Sequence, residues 1–377
     1  MGKGARRPRA SLRFAIIGRL CSPSAGFFQS DKRLSPREPP WITPRRTSPS
    51  VTEGVSIEPK LDPQARVLLE RLARSPAVDP DTLGAAKARR SYREGRLALA
   101  PPPLAIEETR DFSLPGGAGD IKARFYRPLG EKPGEILSGV VYFHGGGWVC
   151  GDLDTHDSVC RGIAAHGRCA VVAVDYRKAP EHKFAAAVED AIAAVKWVGA
   201  NAGALRIDAS QLAVAGESAG GNLAAVAAIA LRDTGPAVAM QVLAYPVVDQ
   251  AGDTDSLERF ASGYTLTRDM LRWYQKQYLR GESDRADWRA SPLLAPDHSR
   301  LPHAYILTAG FDPLLDEGKA YADRLMQAGV PVVYECFEGM VHGFLPMGGA
   351  LAAARHAHYR IGQMLRTRFG TLPGLRP

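Results

Sequence analysis

The sequence predicts an α/β fold, a largely parallel sheet with helices on both faces. Three observations carry that expectation. Short apolar runs, such as Val140 to Phe143 and AVVAVD at 170–175, recur along the chain without polar alternation. Strands buried on both faces read this way. Longer segments of helical period separate these runs, and strand–helix alternation is the mark of a parallel sheet. Apolar residues make up 45% and charged residues 23% of the 377, the composition of a soluble globular chain with one large core or two smaller ones.

The first 50 residues stand apart. They hold eleven Lys and Arg against two acids, Asp31 and Glu38, so 1–50 carries +9 and the other 327 residues −1 of the formal net charge of +8. The basic excess therefore belongs to a tail, and the rest of the chain does not read as nucleic-acid-binding. Residues 1–55, rich in Pro and Ser and without apolar periodicity, read as disordered. Six basic groups and no acid in the first thirty residues fit a transit-type composition or an upstream start codon.

Beyond the tail, 62–74 has a helical period behind Asp62, and 79–98 opens on DPDT, a helix-start signal. The triple proline at 101–103 closes this part, so 56–104 reads as a separate helical segment and 105–377 as the main α/β domain. Strands at 106–114 and 120–127 flank PGGAGD and predict a hairpin. Alternation follows: strand 139–143 with helix 155–166, 170–175 with 185–200, 211–215 with 219–232. Strand 238–244 precedes a polar stretch and a helix near 267–279. Strand 304–309 pairs with helix 316–328, and strand 331–336 with a last helix near 349–368. No window reaches the apolar length of a membrane span. The cysteines at 21, 150, 160, 169 and 336 contain no CxxC pair, which argues against a disulfide framework or a zinc site and for reduced thiols in the cytoplasm.

The sharpest motif is Gly216-Glu217-Ser218-Ala219-Gly220, a GxSxG between the strand QLAVA and a helix. A sharp strand-to-helix turn holds such a serine in a strained conformation at the sheet's end, with small residues letting the chain pass. A serine nucleophile needs a base, and the base an orienting acid. The strand AYILTA leads into Asp312, and VVYECF leads into His342. The order Ser218, Asp312, His342 is that of serine hydrolases with parallel sheets. Other histidines, His156, His166, His298, His303, His356 and His358, read as surface or packing residues. Asp316 reads as a helix cap. Glu217 points away along the turn in this reading and has a positioning role at most. The Ala219 N–H, just after the nucleophile, is a donor for an oxyanion. Trp148, Tyr264 and Leu314 are candidates to line a substrate pocket. The glycine run after Phe143 lacks the pattern of a phosphate loop.

HGGGW at 144–148, DYRKAPEHKF at 175–184, GESAGG at 216–221, GFDPLLDEG at 310–318 and EGMVHGF at 338–344 together resemble the hormone-sensitive-lipase-like esterases, the HGGG-bearing branch of the α/β-hydrolases. The resemblance runs from about residue 58 onward. It implies an eight-stranded, mostly parallel sheet and a helical cap built largely from 56–104, with a second cap or pocket contribution from 250–285. It implies nucleophile Ser218, acid Asp312 and base His342. Gly146 and Gly147 join Ala219 as oxyanion-hole donors, Gly145 allows the turn, and His144 helps fix the loop. A bulky residue at Gly146 should then lower kcat far more than stability. The implied substrate is a small-molecule ester with a short to medium acyl chain, taken without cofactor or metal, and a homodimer is one open assembly. Amide hydrolysis or deacetylation is the alternative reaction, and a non-catalytic receptor of the same fold is the alternative class. Two departures stand out. Glu217 occupies a position where this branch often has aspartate, and Lys178 and Ala185 replace the usual leucine and proline.

Overall fold

The structure, a computed structural model, describes residues 60–74, 84–130, 132 and 134–370. These lie in the compact unit Ile57–Pro377. The expectation for the tail at 1–55, and that for the DPDT helix start, fall outside the described residues.

The hairpin forms from β1 (Glu108–Gly116) and β2 (Gly119–Arg127), antiparallel and joined by a two-residue turn. Gly119 takes φ +117 there, a conformation open only to glycine. The six later strands are β3 (Leu137–Phe143), β4 (Ala170–Asp175), β5 (Ile207–Glu217), β6 (Val238–Ala244), β7 (His303–Phe311) and β8 (Val332–Val341). One eight-stranded sheet results, in the order β1-β2-β4-β3-β5-β6-β7-β8. β2 runs antiparallel to β4, and every pairing from β4 onward through β3 to β8 is parallel.

Successive residues of β3 serve opposite faces, as the pleat requires. Val141 and Phe143 join one core with α4 (Ala186–Ala200), α5 (Ala219–Leu231) and α8 (Leu315–Gln327). Val140 and Tyr142 join the other, with α3 (Asp157–Gly167) and α9 (Ala352–Phe369). The alanine-rich α5 is buried along almost its whole length. Its small side chains let the helix lie close against the sheet beside the site.

Among the described residues, two helices precede the sheet. In α1 (Pro63–Ala73) the Asp62 carboxylate accepts from the N–H groups of Gln64 (2.7 Å) and Ala65 (3.3 Å), capping orphan donors as its position predicted. In α2 (Ala85–Leu99) the N-cap is Gly84, with no side-chain cap. Between β6 and β7 the chain makes a long excursion with α6 (Asp255–Arg259) and α7 (Arg268–Tyr278). α6 was not legible in the sequence. Among the described residues, no helix is long and apolar enough to cross a membrane.

Candidate active site

Three strands end just where the chemistry begins. β5 stops at Glu217, β7 at Phe311 and β8 at Val341, one residue before Ser218, Asp312 and His342. All three strands are parallel, so their carboxyl ends share one edge of the sheet, where such folds gather their functional groups. Ser218 Oγ lies 2.9 Å from His342 Nε2, and His342 Nδ1 lies 2.7 Å from Asp312 Oδ2. The other carboxylate oxygen, Oδ1, accepts the Leu314 N–H at 2.9 Å. Asp312 is fully buried, so this carboxylate is fixed and shielded from water. A proton on Nδ1 directed at Asp312 leaves Nε2 free to accept from the serine.

Ser218 has φ 56 and ψ −121, a region non-glycine residues rarely enter. Its backbone is pinned on both sides: its N–H donates to Ala244 O at 2.9 Å, and its carbonyl accepts from Asn222 and Val247. The neighbouring glycines leave no room for a side chain. A Cβ at Gly216 would overlap the Gly220 carbonyl, and one at Gly220 would overlap that of Phe143. The serine therefore sits at the N-terminus of α5, whose first N–H groups have no partner within the helix; that of Ala219 is the first.

The glycine loop folds across from β3. Gly146 has φ 117 and Gly147 φ 61. The Gly146 carbonyl accepts from Cys150 at 2.8 Å and Val149 at 3.2 Å, closing a tight turn. His144 holds the base of the loop: its Nδ1 lies 2.8 Å from Gly145 O, and its own carbonyl accepts the Tyr176 hydroxyl at 2.7 Å. Its ring stacks on Tyr176 at 4.4 Å between centroids. Burial pushes the His144 imidazole below its usual range.

Four expectations are corrected here. Glu217 does not point away. Its Oε1 accepts the Gly145 N–H at 2.8 Å and lies 2.7 Å from His156 Nε2. His156 is correspondingly no ordinary packing histidine: it is buried and bonded on both ring nitrogens, with Thr155 Oγ1 at 2.9 Å from Nδ1. Burial alone would raise the Glu217 carboxyl. The His156 hydrogen bond, with the charges of His156 and Arg96, outweighs it and holds the group at about 2. Asp316 does not cap its own helix, whose N-cap is Leu314; its carboxylate accepts the Ser256 N–H at 2.7 Å, satisfying a free donor in the first turn of α6 and tying α6 to the start of α8. A side chain at Gly146 would overlap the Cys150 backbone, so bulk there must displace the loop, and stability should fall along with kcat.

A cavity of about 790 Å³ opens over Ser218 and His342, lined also by Gly146, Gly147, Trp148, Leu314, Tyr274 and Glu317. Trp148, at φ 58, stacks flat on Tyr278, with 4.2 Å between centroids. Tyr264, the third pocket candidate, does not line this cavity; it packs against Phe260 and Phe311 instead. Both helical segments contribute to the wall, Tyr92, Arg96 and Leu99 from α2 and Met270, Leu271 and Tyr274 from α7. Glu317 accepts the Val248 N–H at 2.8 Å. Burial raises its carboxyl well above the usual range, so two buried glutamates in one site are driven in opposite directions. Lys178, one of the departures, pairs with Asp175, and Ala185, the other, precedes α4 at its N-cap; neither lines the cavity.

A family model described as the alpha/beta hydrolase fold matches residues 140–346, which include the glycine loop, the serine turn and the histidine. The carboxylic ester hydrolase LipN of Mycobacterium tuberculosis is 41% identical over 333 residues, spanning 83% of this chain and 86% of its own. An arylesterase of Saccharolobus solfataricus is 36% identical over 310 residues, 82% of this chain and 99% of its own. The solved structure of a hyperthermophilic esterase from the archaeon Pyrobaculum calidifontis is similar with a TM-score of 0.77 at 42% identity, covering 82% of this chain and 98% of that one. The chain thus belongs to the α/β-hydrolase family, in its hormone-sensitive-lipase-like carboxylesterase branch.

Proposed function

We propose that this carboxylic ester hydrolase cleaves short- to medium-chain acyl esters through an acyl-enzyme on Ser218. The observation that carries the reading is the unbroken hydrogen-bonded run from Ser218 Oγ through His342 to Asp312, 2.9 and 2.7 Å long, facing a cavity. His342 Nε2 takes the Ser218 proton as Oγ bonds to the ester carbonyl carbon. Asp312 stabilises the imidazolium that forms. The negative charge developing on the carbonyl oxygen is received by the N–H groups of Gly146, Gly147 and Ala219, and loss of one such donor typically removes about 2.7–4 kcal/mol of transition-state stabilisation. His342 then returns the proton to the departing alkoxide. Water, deprotonated by the same imidazole, releases the carboxylic acid and regenerates the serine.

A cavity of about 790 Å³ lies within the range of small-molecule sites, and the preference for an acyl chain of about four to eight carbons over a long-chain triglyceride rests on the family resemblance. Hydrolysis of p-nitrophenyl butyrate tests the assignment. The Ser218→Ala protein should keep its circular dichroism and lose turnover; retained turnover would sink the reading. A rate maximum on long-chain emulsions would sink the chain-length part alone.

A further inference from the structure

The ring of His342 is held by Ser218 and Asp312, but its backbone is held from elsewhere. β8 ends at Val341, so the carbonyls of His342 and Gly343 lie beyond the sheet ladder. Each is taken by a side chain from a different part of the cavity wall. The Thr265 hydroxyl donates to His342 O at 2.7 Å. The Arg96 guanidinium donates through Nη1 to Gly343 O, also at 2.7 Å. Thr265 lies between α6 and α7 in the chain excursion, and Arg96 lies in the last turn of α2. Both residues line the cavity. The donors come from 77 and 247 residues away in sequence, so no local folding of the histidine loop supplies them.

The fit around Arg96 is close. Its guanidinium carbon lies 4.8 Å over the ring of Tyr92, one turn back on the same helix. Gly343 adopts φ 69, and a Cβ there would sit 2.7 Å from Arg96 Nη2. The end of α2 is tied to the same loop a second time, where Gly349 N–H donates to Leu99 O at 2.9 Å. The loop carrying the base is therefore gripped by both wall segments, at the two peptide carbonyls that fix the direction of the imidazole.

We propose that Arg96 and Thr265 are positioning residues for His342. They form a clasp by which the two wall segments set the aim of the general base. This rests on the reading of His342 as base. A hydroxyl donor and a charged donor hold adjacent carbonyls, so losing either leaves the loop a hinge at the other. Misplacing a reacting group by about 1 Å can lower a rate about 100-fold, whereas substrate contacts away from the loop remain. The clasp thus acts on kcat and not on KM.

The test compares Thr265→Val, Thr265→Ser and Arg96→Met with the unmodified protein. Valine keeps the shape of threonine without its hydroxyl, serine keeps the hydroxyl, and methionine keeps part of the aliphatic stem of arginine. Rates are taken on p-nitrophenyl butyrate and normalised to active sites titrated with a small fluorophosphonate, so that unfolded molecules are not counted. The expected result is a kcat about 10- to 100-fold lower in Thr265→Val and Arg96→Met, with KM within about 3-fold. The second-order rate of phosphonylation should fall in parallel, and Thr265→Ser should recover most of kcat. Per-site kcat within about 2-fold of the parent in both variants, a loss confined to KM, or no recovery in Thr265→Ser would overturn the clasp. Ser218→Ala serves as the separate control: activity surviving that change refutes the nucleophile assignment itself, whatever the clasp variants do.

Discussion

Replacing Glu217 by glutamine isolates the charge of the carboxylate that holds the glycine loop. Glutamine keeps an Oε1 able to accept from Gly145 N–H and from His156, the two partners at 2.8 and 2.7 Å. What it loses is the negative charge. In the folded protein the group sits at about 2 against an ordinary 4.5, a difference equivalent to about 3 kcal/mol in favour of the folded state at neutral pH. The sign follows from the depressed value. The unfolded chain takes up the proton first as pH falls, so the stabilisation is complete above 4.5 and fades as pH drops toward 2. Glu217→Gln should therefore unfold at lower urea than the parent by about 3 kcal/mol at pH 7, narrowing to about 2 kcal/mol at pH 3.5. Urea titrations followed by tryptophan fluorescence at the two pH values measure both numbers. A difference below about 1 kcal/mol at pH 7, or one that widens toward acid, would refute the assignment of a charged, paired Glu217.

The second buried glutamate gives the opposite expectation: Glu317 keeps its proton in the folded state well above 4.5, so parent stability declines with rising pH, and Glu317→Gln should gain on it between pH 5 and 8 in the same urea assay. Asp312→Asn should lower kcat about 10,000-fold with the fold retained, since the amide no longer orients and stabilises the imidazolium; a loss under 10-fold on p-nitrophenyl butyrate would contradict it. Gly147→Ala should lose more stability than the about 1–2 kcal/mol that a left-handed φ of 61 costs by itself, because the Tyr274 ring must also shift, and kcat per folded molecule should fall as well. Gly146→Ala, with backbone in its way, should yield little folded protein on size-exclusion chromatography.

The groups at strand ends were legible because their signals are local. Apolar runs announced β5, β7 and β8, and the residues just past them could be read directly. The strands proved longer than their apolar cores: β8 continues through the polar Glu338 and Gly339 to Val341, because ladder bonds to β7 outlast the hydrophobic pattern. The Glu217–His156 pair was not legible. The partners are 61 residues apart and belong to different elements, and nothing around either residue records the other. The one hint was Glu217 itself, a carboxylate beside the serine where aspartate is usual. Tyr264 was misplaced for a related reason. Its aromatic surface could serve a pocket or a packing cluster, and Phe260 and Phe311, one of them 47 residues distant in sequence, claimed it. The clasp on His342 likewise joins segments whose meeting only the fold decides.

The missing side chain at Gly145 is also occupied space. A Cβ there would overlap the Glu217 carboxylate, so the two positions share one volume. The coupling runs one way: enlarging residue 145 is blocked while glutamate stands at 217, whereas 217 can shorten to aspartate with glycine kept at 145. Bulk at 145 must then follow a change at 217. Libraries that randomise the glycine loop alone would return mostly inactive chains, while those that co-vary 145 with 217 would explore routes that single substitutions cannot reach.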